Sequence, residues 1–446
     1  MSSTVVVGGG LAGLVAAYLL GERGDDVLVL EGSPVVGGKL RLAEVAGATV
    51  DVGAEAMLNR RPEGVDLART LGLDVVHPAI ASSRIWTGGA LRPLPRSLMG
   101  VPLDLPALEA SGVLSPAGLA RVREEPTLPP TVVEGDISVG DLVAARLGDE
   151  VTDRLVEPLL GGVYAGRARE ISARAAVPQL LSLTARGSLL EAAAALPTSD
   201  VPVFASLPGG MGRLPEELVK AGSFRVRTDA TVRELRRTPD GFELVVGPTT
   251  APELITADRV VMAVPAAPAA RLLRDVAPVA AAELAEIESA SVAVVTFAVR
   301  AADAPTLVGS DSSGFLVPPA DGRRIKASTF SFNKWAWVRE AGDGVLYLRT
   351  SLGRHREETA LQATDEELVA ASLADLAEAV GLRAQPVDVH VQRWGGGLPQ
   401  YAVGHLGRVA RIRATIDRVP GLTVCGAAYE GVGIPAVIAS AHRAAQ

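Results

Sequence analysis

Residues 4–20 read TVVVGGGLAGLVAAYLL, which combines a β-branched run, a G-x-G-x-x-G turn and the apolar start of a helix. A second apolar run at residues 27–30 ends immediately before Glu31. Strand, glycine-rich turn, helix, strand and acid follow one another in the order that a dinucleotide-binding βαβ unit requires. The N-terminus therefore predicts a nucleotide cofactor before anything is known of a substrate.

Each glycine of the turn has a separate physical role. Gly8 allows the tight turn out of the strand, Gly10 lets the backbone approach a pyrophosphate, and Gly13 lets the helix pack closely on the strand. The helix N-terminus offers free N–H groups and the positive end of its dipole to the phosphates. Glu31 stands where a carboxylate accepts hydrogen bonds from ribose hydroxyls. An ordinary glycine-rich turn is the alternative, but strand, helix and acid are all in register.

Two further glycine-bearing segments favour FAD over NAD. Gly37-Gly38-Lys39 follows shortly after Glu31, and VDVGAEA occupies residues 50–56. In flavoproteins with two dinucleotide-binding domains, the first segment runs along the cofactor and a later glycine loop passes near the flavin. A plain NAD domain has no need of the first segment. A simple loop is the alternative interpretation of the Gly-Gly pair.

The size and composition of the chain describe a folded protein of several domains. Its 446 residues are enough for two or three domains, and 48% of them are hydrophobic while 21% are charged. A net charge of −8 gives no basic field that would attract nucleic acid. Cys425 is the only cysteine, which excludes an internal disulfide. The five histidines lack zinc-binding spacings, so no metal is predicted.

The sequence shows no targeting signal. Its start, MSST, has no basic region, and no uninterrupted apolar run reaches about 18 residues. We therefore expect a cytoplasmic protein without a signal peptide or a spanning helix. The helical middle of the chain contains apolar faces and arginines, which leave core packing and peripheral membrane contact open as alternatives.

Pattern changes along the chain predict an α/β fold with a discontinuous Rossmann-like FAD-binding domain. A hairpin is expected at residues 84–91, helices over residues 107–195, and strands after them. A last buried strand at residues 422–426 and a helix from Pro435 complete the nucleotide-like pieces. The predicted domains are FAD-binding (1–80, 205–270 and 385–446), α+β substrate-binding (81–106 and 271–384) and a helical insertion (107–204).

Several longer phrases resemble one family from end to end. These are GAEAMLNRR (53–61), GGALRPLP (88–95), EPLLGGVYAG (157–166), LPGGMG (207–212), RW (393–394), LPQYAVGH (398–405) and CGAAYEGVGIP (425–435). Together they resemble the protoporphyrinogen and coproporphyrinogen oxidases of haem biosynthesis. The phrases GGVYAG and PQYAVGH are far more specific than the N-terminal fingerprint, which all related flavoproteins share.

The resemblance implies non-covalent FAD, oxidation of a porphyrinogen by molecular oxygen and release of hydrogen peroxide. Product hand-off to a ferrochelatase is a further implied partnership. Val232 should contact the adenine end of the cofactor, and Trp394 and the loop before the last helix should lie against the flavin. The residues implied to line FAD are Gly8, Gly9, Gly10, Leu11, Ala12, Gly13, Glu31, Lys39, Gly53, Ala54, Glu55, Ala56, Val232, Trp394, Gly426, Val432, Gly433 and Ile434.

A porphyrinogen needs a wide apolar pocket with cationic anchors for its propionates. The predicted turn at Gly162 and Val163 carries no bulky side chain at Gly162, so a ring could approach the backbone there; a helix end followed by a loop is the alternative. Arg60, Arg61 and Arg92 are candidates for carboxylate capture, and the alternative for each is a solvated surface arginine. These five residues are the predicted substrate contacts.

No side chain is predicted to act as a dedicated base, since hydride transfer to a flavin needs placement more than acid–base chemistry. Scarce lysine and abundant alanine suggest a high-GC bacterial genome, whose Gram-positive members mostly use the coproporphyrin branch. Coproporphyrinogen III is therefore the expected substrate, with protoporphyrinogen IX as the first alternative. A flavin amine oxidase, a carotenoid-type desaturase and a non-catalytic escort of prenylated GTPases also share this frame, and each stays a candidate function.

Overall fold

The β-branched run at the N-terminus forms the central strand of a five-stranded parallel sheet. The computed structural model describes residues 2–197 and 199–446. Val5 pairs with Leu28 on one side and with Val260 on the other, so the first strand is covered along both edges. In spatial order the strands are Arg225–Arg227, Asp26–Leu30, Ser3–Val7, Arg259–Met262 and Leu422–Val424.

Both faces of the parallel sheet are covered, as parallel sheets require. On one face the helices Leu11–Glu22, Arg213–Ala221 and Ile434–Ala444 share a single apolar core. The other face packs against a second core that includes helices and a three-stranded antiparallel sheet. Those elements are Ala266–Leu272, Pro278–Ala285, His405–Ile416, Val232–Thr238, Gly241–Val246 and Glu253–Ala257.

A seven-stranded sheet forms the second large unit. The helix Asp365–Val380, which starts at a Thr364–Glu367 capping box, contributes to the core on this sheet. The hairpin predicted at residues 84–91 is present, with both glycines of its turn at positive φ. In spatial order the strands are Asp388–Pro399, Ser289–Arg300, Val345–Leu352, Ile325–Thr329, Gly314–Leu316, Arg84–Thr87 and Ala90–Pro93.

The region from Leu105 to Ala194 is helical, as the periodicity predicts, and its apolar faces pack into a core of their own. The buried Arg146–Glu125 ion pair ties three of its segments together, because Glu125 also accepts hydrogen bonds from the N–H groups of Leu189 and Leu190. The helices are Leu105–Ser111, Pro116–Glu124, Val139–Leu147, Asp149–Val151, the π-helix Thr152–Val156, Glu157–Tyr164, Ala173–Ala176, Pro178–Thr184 and Leu189–Ala194.

Shorter elements connect these units. Strand pairs are Leu42–Val45 with Ala48–Asp51, Met57–Leu58 with Phe204–Ala205, and Ser97–Leu98 with Val101–Pro102. Helices are Pro62–Thr70, Pro305–Val308, Ser331–Lys334 and Ala336–Gly342, with 3₁₀ turns at Glu125–Thr127, Ala301–Asp303, Pro319–Asp321 and Glu358–Gln362. Over residues 2–197 and 199–446, no helix has the length and apolar character needed to cross a membrane. The limits of the three domains stay predictions.

Replacing Gly13 by alanine should destabilise the protein. The added Cβ would overlap the carbonyl oxygen of Gly8, where the first helix crosses the first strand. We expect a loss of about 3 kcal/mol or more in the free energy of unfolding, the upper range for overpacking. Gly10→Ala is the matched control, because the nearest atom to its new Cβ would be the Gly38 Cα at 3.9 Å. Urea denaturation of both variants measures the difference, and equal midpoints would contradict the role given to Gly13.

Candidate active site

The glycine turn is shaped to receive a pyrophosphate. Gly8 has φ +109°, which suits glycine, and Gly10 is the N-cap of the helix Leu11–Glu22. The Gly37 N–H donates to the Gly9 carbonyl at 2.8 Å, so the second glycine turn lies against the first. Beside Gly10 the structure has space that a side chain would fill, with Gly38 as its nearest neighbour. Two glycine backbones and a helix N-terminus thus form a cradle that fits a dinucleotide.

Glu31 is held firmly at the end of its strand. One carboxylate oxygen accepts from the Gly9 N–H at 2.7 Å and the other from the Ser33 N–H at 2.8 Å. Each oxygen keeps a lone pair for a further donor, such as a ribose hydroxyl. The turn after strand Arg225–Arg227 lies close by, since the Ala230 N–H donates to the Glu31 carbonyl at 2.8 Å. This places Val232, two residues further on, at the same end of the sheet as the acid.

Lys39, Gly53 and Trp394 come together although they are far apart in the sequence. A Cβ on Gly53 would overlap the Lys39 carbonyl oxygen and would lie 3.3 Å from the Trp394 ring. The Ala54 N–H donates to the same Lys39 carbonyl at 3.0 Å. The buried Lys39 ammonium donates to the Gly397 carbonyl at 2.5 Å, and burial lowers the pKa of Lys39 to about 8. The predicted FAD contacts Lys39 and Gly53, near the N-terminus, therefore lie next to Trp394, near the C-terminus.

The C-terminal loop meets the N-terminal turn. Gly426, at φ +126°, lies beside Ala12, with 3.9 Å between its would-be Cβ and the Ala12 Cβ. The Gly426 N–H donates to Ser440 of the last helix at 3.1 Å. That helix begins at Ile434, one residue before the predicted start, with Gly433 as its N-cap. Val432 packs against the helical region, so this loop joins that region to the parallel-sheet unit.

Glu55 turns its side chain away from the nucleotide turn. Its buried carboxylate pairs with Lys334 at 2.8 Å and with Arg349 at 2.9 Å. Burial alone would raise the pKa of Glu55, but the two cations outweigh it and hold the pKa at about 2. Neighbouring Asp51 accepts from two backbone N–H groups, and its burial raises its pKa to about 7. Sequence reasoning missed Lys334 and Arg349; the signal for Arg349 was a cation within the strand Val345–Leu352, whereas Lys334 ends a short helix and gave no comparable signal.

The segment around Gly162 is a correction to the sequence analysis. The predicted turn is the last turn of the helix Glu157–Tyr164, and the left-handed residue that ends the helix is Ala165. The helix continues because two glycines in its last turn do not prevent the backbone N–H groups from donating to the carbonyls four residues earlier. Gly162 is exposed, with Leu316 of the seven-stranded sheet 3.8 Å from its would-be Cβ, and Val163 is 42% exposed.

The three candidate arginines occupy two different places. Arg60 and Arg61 are exposed and follow the strand Met57–Leu58, and Arg61 pairs with Glu63 at 2.5 Å. Arg92 is half-buried on the strand Ala90–Pro93, where its guanidinium lies beside Gly112. The first two arginines are neighbours, and the third belongs to the edge of the seven-stranded sheet.

Titratable side chains near the C-terminal loop have packing roles. The His405 ring is stacked on Tyr401, with 3.9 Å between ring centroids, and hydrogen-bonds the Tyr429 carbonyl at 2.8 Å. Burial lowers the pKa of His405 and raises that of the Cys425 thiol to about 12. The described part of the chain contains no cluster of side chains that could hold a metal ion.

Comparison with known proteins shows the family to which the chain belongs. The family model of the flavin-containing amine oxidoreductases matches residues 11–446. The chain belongs to this family. The coproporphyrinogen III oxidase of Mycobacterium tuberculosis is 40% identical over 454 residues, which cover 99% of this chain and 96% of the relative. The protoporphyrinogen oxidase of Homo sapiens is 30% identical and covers 99% and 97% of the two chains.

A solved structure agrees with these relatives. An Exiguobacterium sp. 255-15 protein, provisionally named protoporphyrinogen oxidase, matches with a TM-score of 0.89 at 29% identity and covers 100% of this chain and 98% of its own. The resemblance to porphyrinogen oxidases is thereby confirmed, as is the α/β flavoprotein fold. The protein is an FAD-dependent oxidoreductase.

Replacing Glu31 by glutamine should weaken FAD binding. The amide keeps the size of the side chain but loses the charge, and it cannot accept from both Gly9 and Ser33. A charged hydrogen bond contributes about 1.5–3 kcal/mol, so the dissociation constant should rise by about tenfold or more. Fluorescence titration of apoprotein with FAD measures it. Glu253→Gln, which removes an exposed partner of Arg227, is the control; equal affinities in the two variants would sink the assignment.

Proposed function

We propose that this protein oxidises coproporphyrinogen III to coproporphyrin III, using FAD as cofactor and molecular oxygen as acceptor. The observation that carries the proposal is identity over almost the whole length to relatives that bear the name coproporphyrinogen III oxidase. The arrangement of Lys39, Gly53 and Trp394 supports it, because these residues, all implicated by the same family resemblance, meet in one place.

The residues of the chain bind and orient rather than react. Bound FAD supplies the two-electron acceptor. The N–H groups at the start of the helix Leu11–Glu22 would hold its pyrophosphate, and Glu31 would hold its ribose. The positive end of the helix that starts at Ile434 would favour negative charge on a flavin placed at the loop before it. Each hydride that leaves a porphyrinogen is accompanied by the loss of a pyrrole N–H proton, which water can accept, so the site needs positioning more than a dedicated base.

Two buried residues support non-covalent FAD and weigh against an amine oxidase. Cys425 is fully buried, and its raised pKa keeps the thiol protonated and unreactive. Tyr429 is also fully buried, packed in the core beneath the parallel sheet with the Arg413 guanidinium over its ring. A ring enclosed in that way cannot form one wall of an aromatic cage for an amine.

The substrate's acidic groups require cations that can be reached from solvent. Arg60 and Arg61 meet this condition, and an exposed pair such as Arg61–Glu63 contributes little and exchanges partners readily. Arg92 lies on a different segment, the strand Ala90–Pro93, with its guanidinium beside Gly112. Cations on two separate segments suit a macrocycle that carries carboxylates on more than one edge. Forked hydrogen bonds from a guanidinium are the natural match for a propionate.

Oxygen uptake with coproporphyrinogen III and protoporphyrinogen IX, measured side by side, tests the proposed function. We expect kcat/KM for coproporphyrinogen III to exceed that for protoporphyrinogen IX by about tenfold, since two lost ion pairs to accessible arginines, at up to about 1 kcal/mol each, together reach the roughly 1.4 kcal/mol that corresponds to tenfold. The reverse order would support the protoporphyrinogen alternative. Yellow protein that oxidises primary amines instead would support an amine oxidase, and colourless protein that takes up no FAD would support an escort.

Replacing Gly162 by leucine should cost turnover and leave FAD bound. Gly162 is exposed beside Leu316, and a leucine there would fill the space through which the macrocycle approaches the backbone. Misplacement of a substrate by about 1 Å can cost up to about a hundredfold, so we expect kcat/KM to fall by about tenfold or more. Gly407→Leu, at another exposed helical glycine, is the matched control. Activity that survives in both variants would place the substrate elsewhere.

A further inference from the structure

One arginine of the seven-stranded sheet holds the backbone of the segment 51–55. Arg349 lies on the strand Val345–Leu352. Its Nη1 donates to the Gly53 carbonyl at 2.7 Å and to the Asp51 carbonyl at 3.2 Å, and its Nη2 pairs with Glu55 at 2.9 Å. A single planar guanidinium therefore fixes both ends of a short loop, which an ammonium group could not do.

Glu55 fixes the loop a second time. Its carboxylate also accepts from the Lys334 ammonium at 2.8 Å and from the Ser331 hydroxyl at 3.0 Å. The carboxylate is only 8% exposed, and Lys334 and Arg349 are 17% and 12% exposed, so water screens these contacts weakly. Ion pairs of this kind are geometrically demanding, and removing one partner leaves a buried charge without compensation.

Arg349 also lines a small cavity. The cavity measures about 10 Å³, and Thr296, Trp335 and Trp337 line it together with Arg349. Within the described chain, the Arg349 Nε, the two indole N–H groups and the Thr296 hydroxyl are buried without a protein partner. The hold of Arg349 on residues 51–55 therefore comes from its two Nη groups.

We propose that Arg349 is a positioning residue for the flavin, holding the segment Gly53–Ala56 in place from the seven-stranded sheet. This rests on the proposed role of Gly53–Ala56 in lining FAD. The segment also contacts Lys39 and Trp394, so a shift of its backbone passes directly to the predicted flavin side. The seven-stranded sheet and the segment Gly53–Ala56 are then joined by the Arg349 guanidinium, which sets their relative position.

Variants of Arg349 test this inference. Arg349→Met keeps the length of the side chain and removes every donor, whereas Arg349→Lys keeps the charge but cannot reach both carbonyls and Glu55. Arg339→Met is the matched control, because Arg339 donates to the Phe332 carbonyl at 3.1 Å and to Asn333 but makes no hydrogen bond or ion pair with residues 51–56. Each holoenzyme is measured for its thermal midpoint, flavin absorption spectrum and reduction potential, kcat and KM.

The expected result separates positioning from simple stability. Arg349→Met should change the flavin spectrum and potential and lower kcat by about tenfold or more, with KM within about twofold of the parent, and Arg349→Lys should change them in the same direction by less. Arg339→Met should lower only the thermal midpoint. If Arg349→Met does not fold, Arg349→Lys decides. If the flavin spectrum and reduction potential of Arg349→Met equal those of Arg339→Met, the inference is overturned. Both measurements need no substrate, so they test the inference even if the porphyrinogen assignment fails.

Discussion

The structure depends on the packing of the two ends of the chain against each other. The strand Arg259–Met262 lies between the first strand, Ser3–Val7, and the last, Leu422–Val424. The first and last helices share one apolar core above these strands. The close approach of Gly13 to Gly8 sets the distance between that helix layer and the sheet. A cofactor turn made only of glycine backbone has little rigidity of its own, so its shape comes from this packing.

The sequence was sufficient wherever the information is local. The turn from Gly8 to Gly13, the hairpin around Gly88-Gly89 and the helical region all follow from residue type and periodicity, because neighbouring residues determine them. Gly162 was wrongly placed in a turn, since glycine is permissive and does not by itself end a helix whose hydrogen bonds are intact. Only the structure shows that the helix ends at Ala165.

Contacts between distant residues could not be predicted in the same way. Arg349 and Gly53 are almost 300 positions apart, and no periodicity relates them. The strand Val345–Leu352 reads VLYLRTSL, so a cation directly follows its apolar first half. The cation was visible in the sequence, but its partner was not. Buried charges in native proteins are paired. That rule predicts that Arg349 has a charged partner. Only the fold shows that the partner is Glu55, together with the carbonyls of Asp51 and Gly53.

The residues of the cofactor-binding fold and the residues proposed to contact the substrate determine different properties of the protein. The parallel sheet, the glycine turn and Glu31 are what any flavoprotein of this family needs, so they cannot distinguish a porphyrinogen from an amine. Selectivity must come from groups outside that frame. Of the proposed substrate contacts, Gly162 lies in the helical region, Arg92 lies on the edge of the seven-stranded sheet, and Arg60 and Arg61 follow the strand Met57–Leu58. Because Arg349 joins that sheet to the segment Gly53–Ala56, a change on the sheet can alter the proposed surroundings of the flavin without any change in the residues proposed to bind the nucleotide.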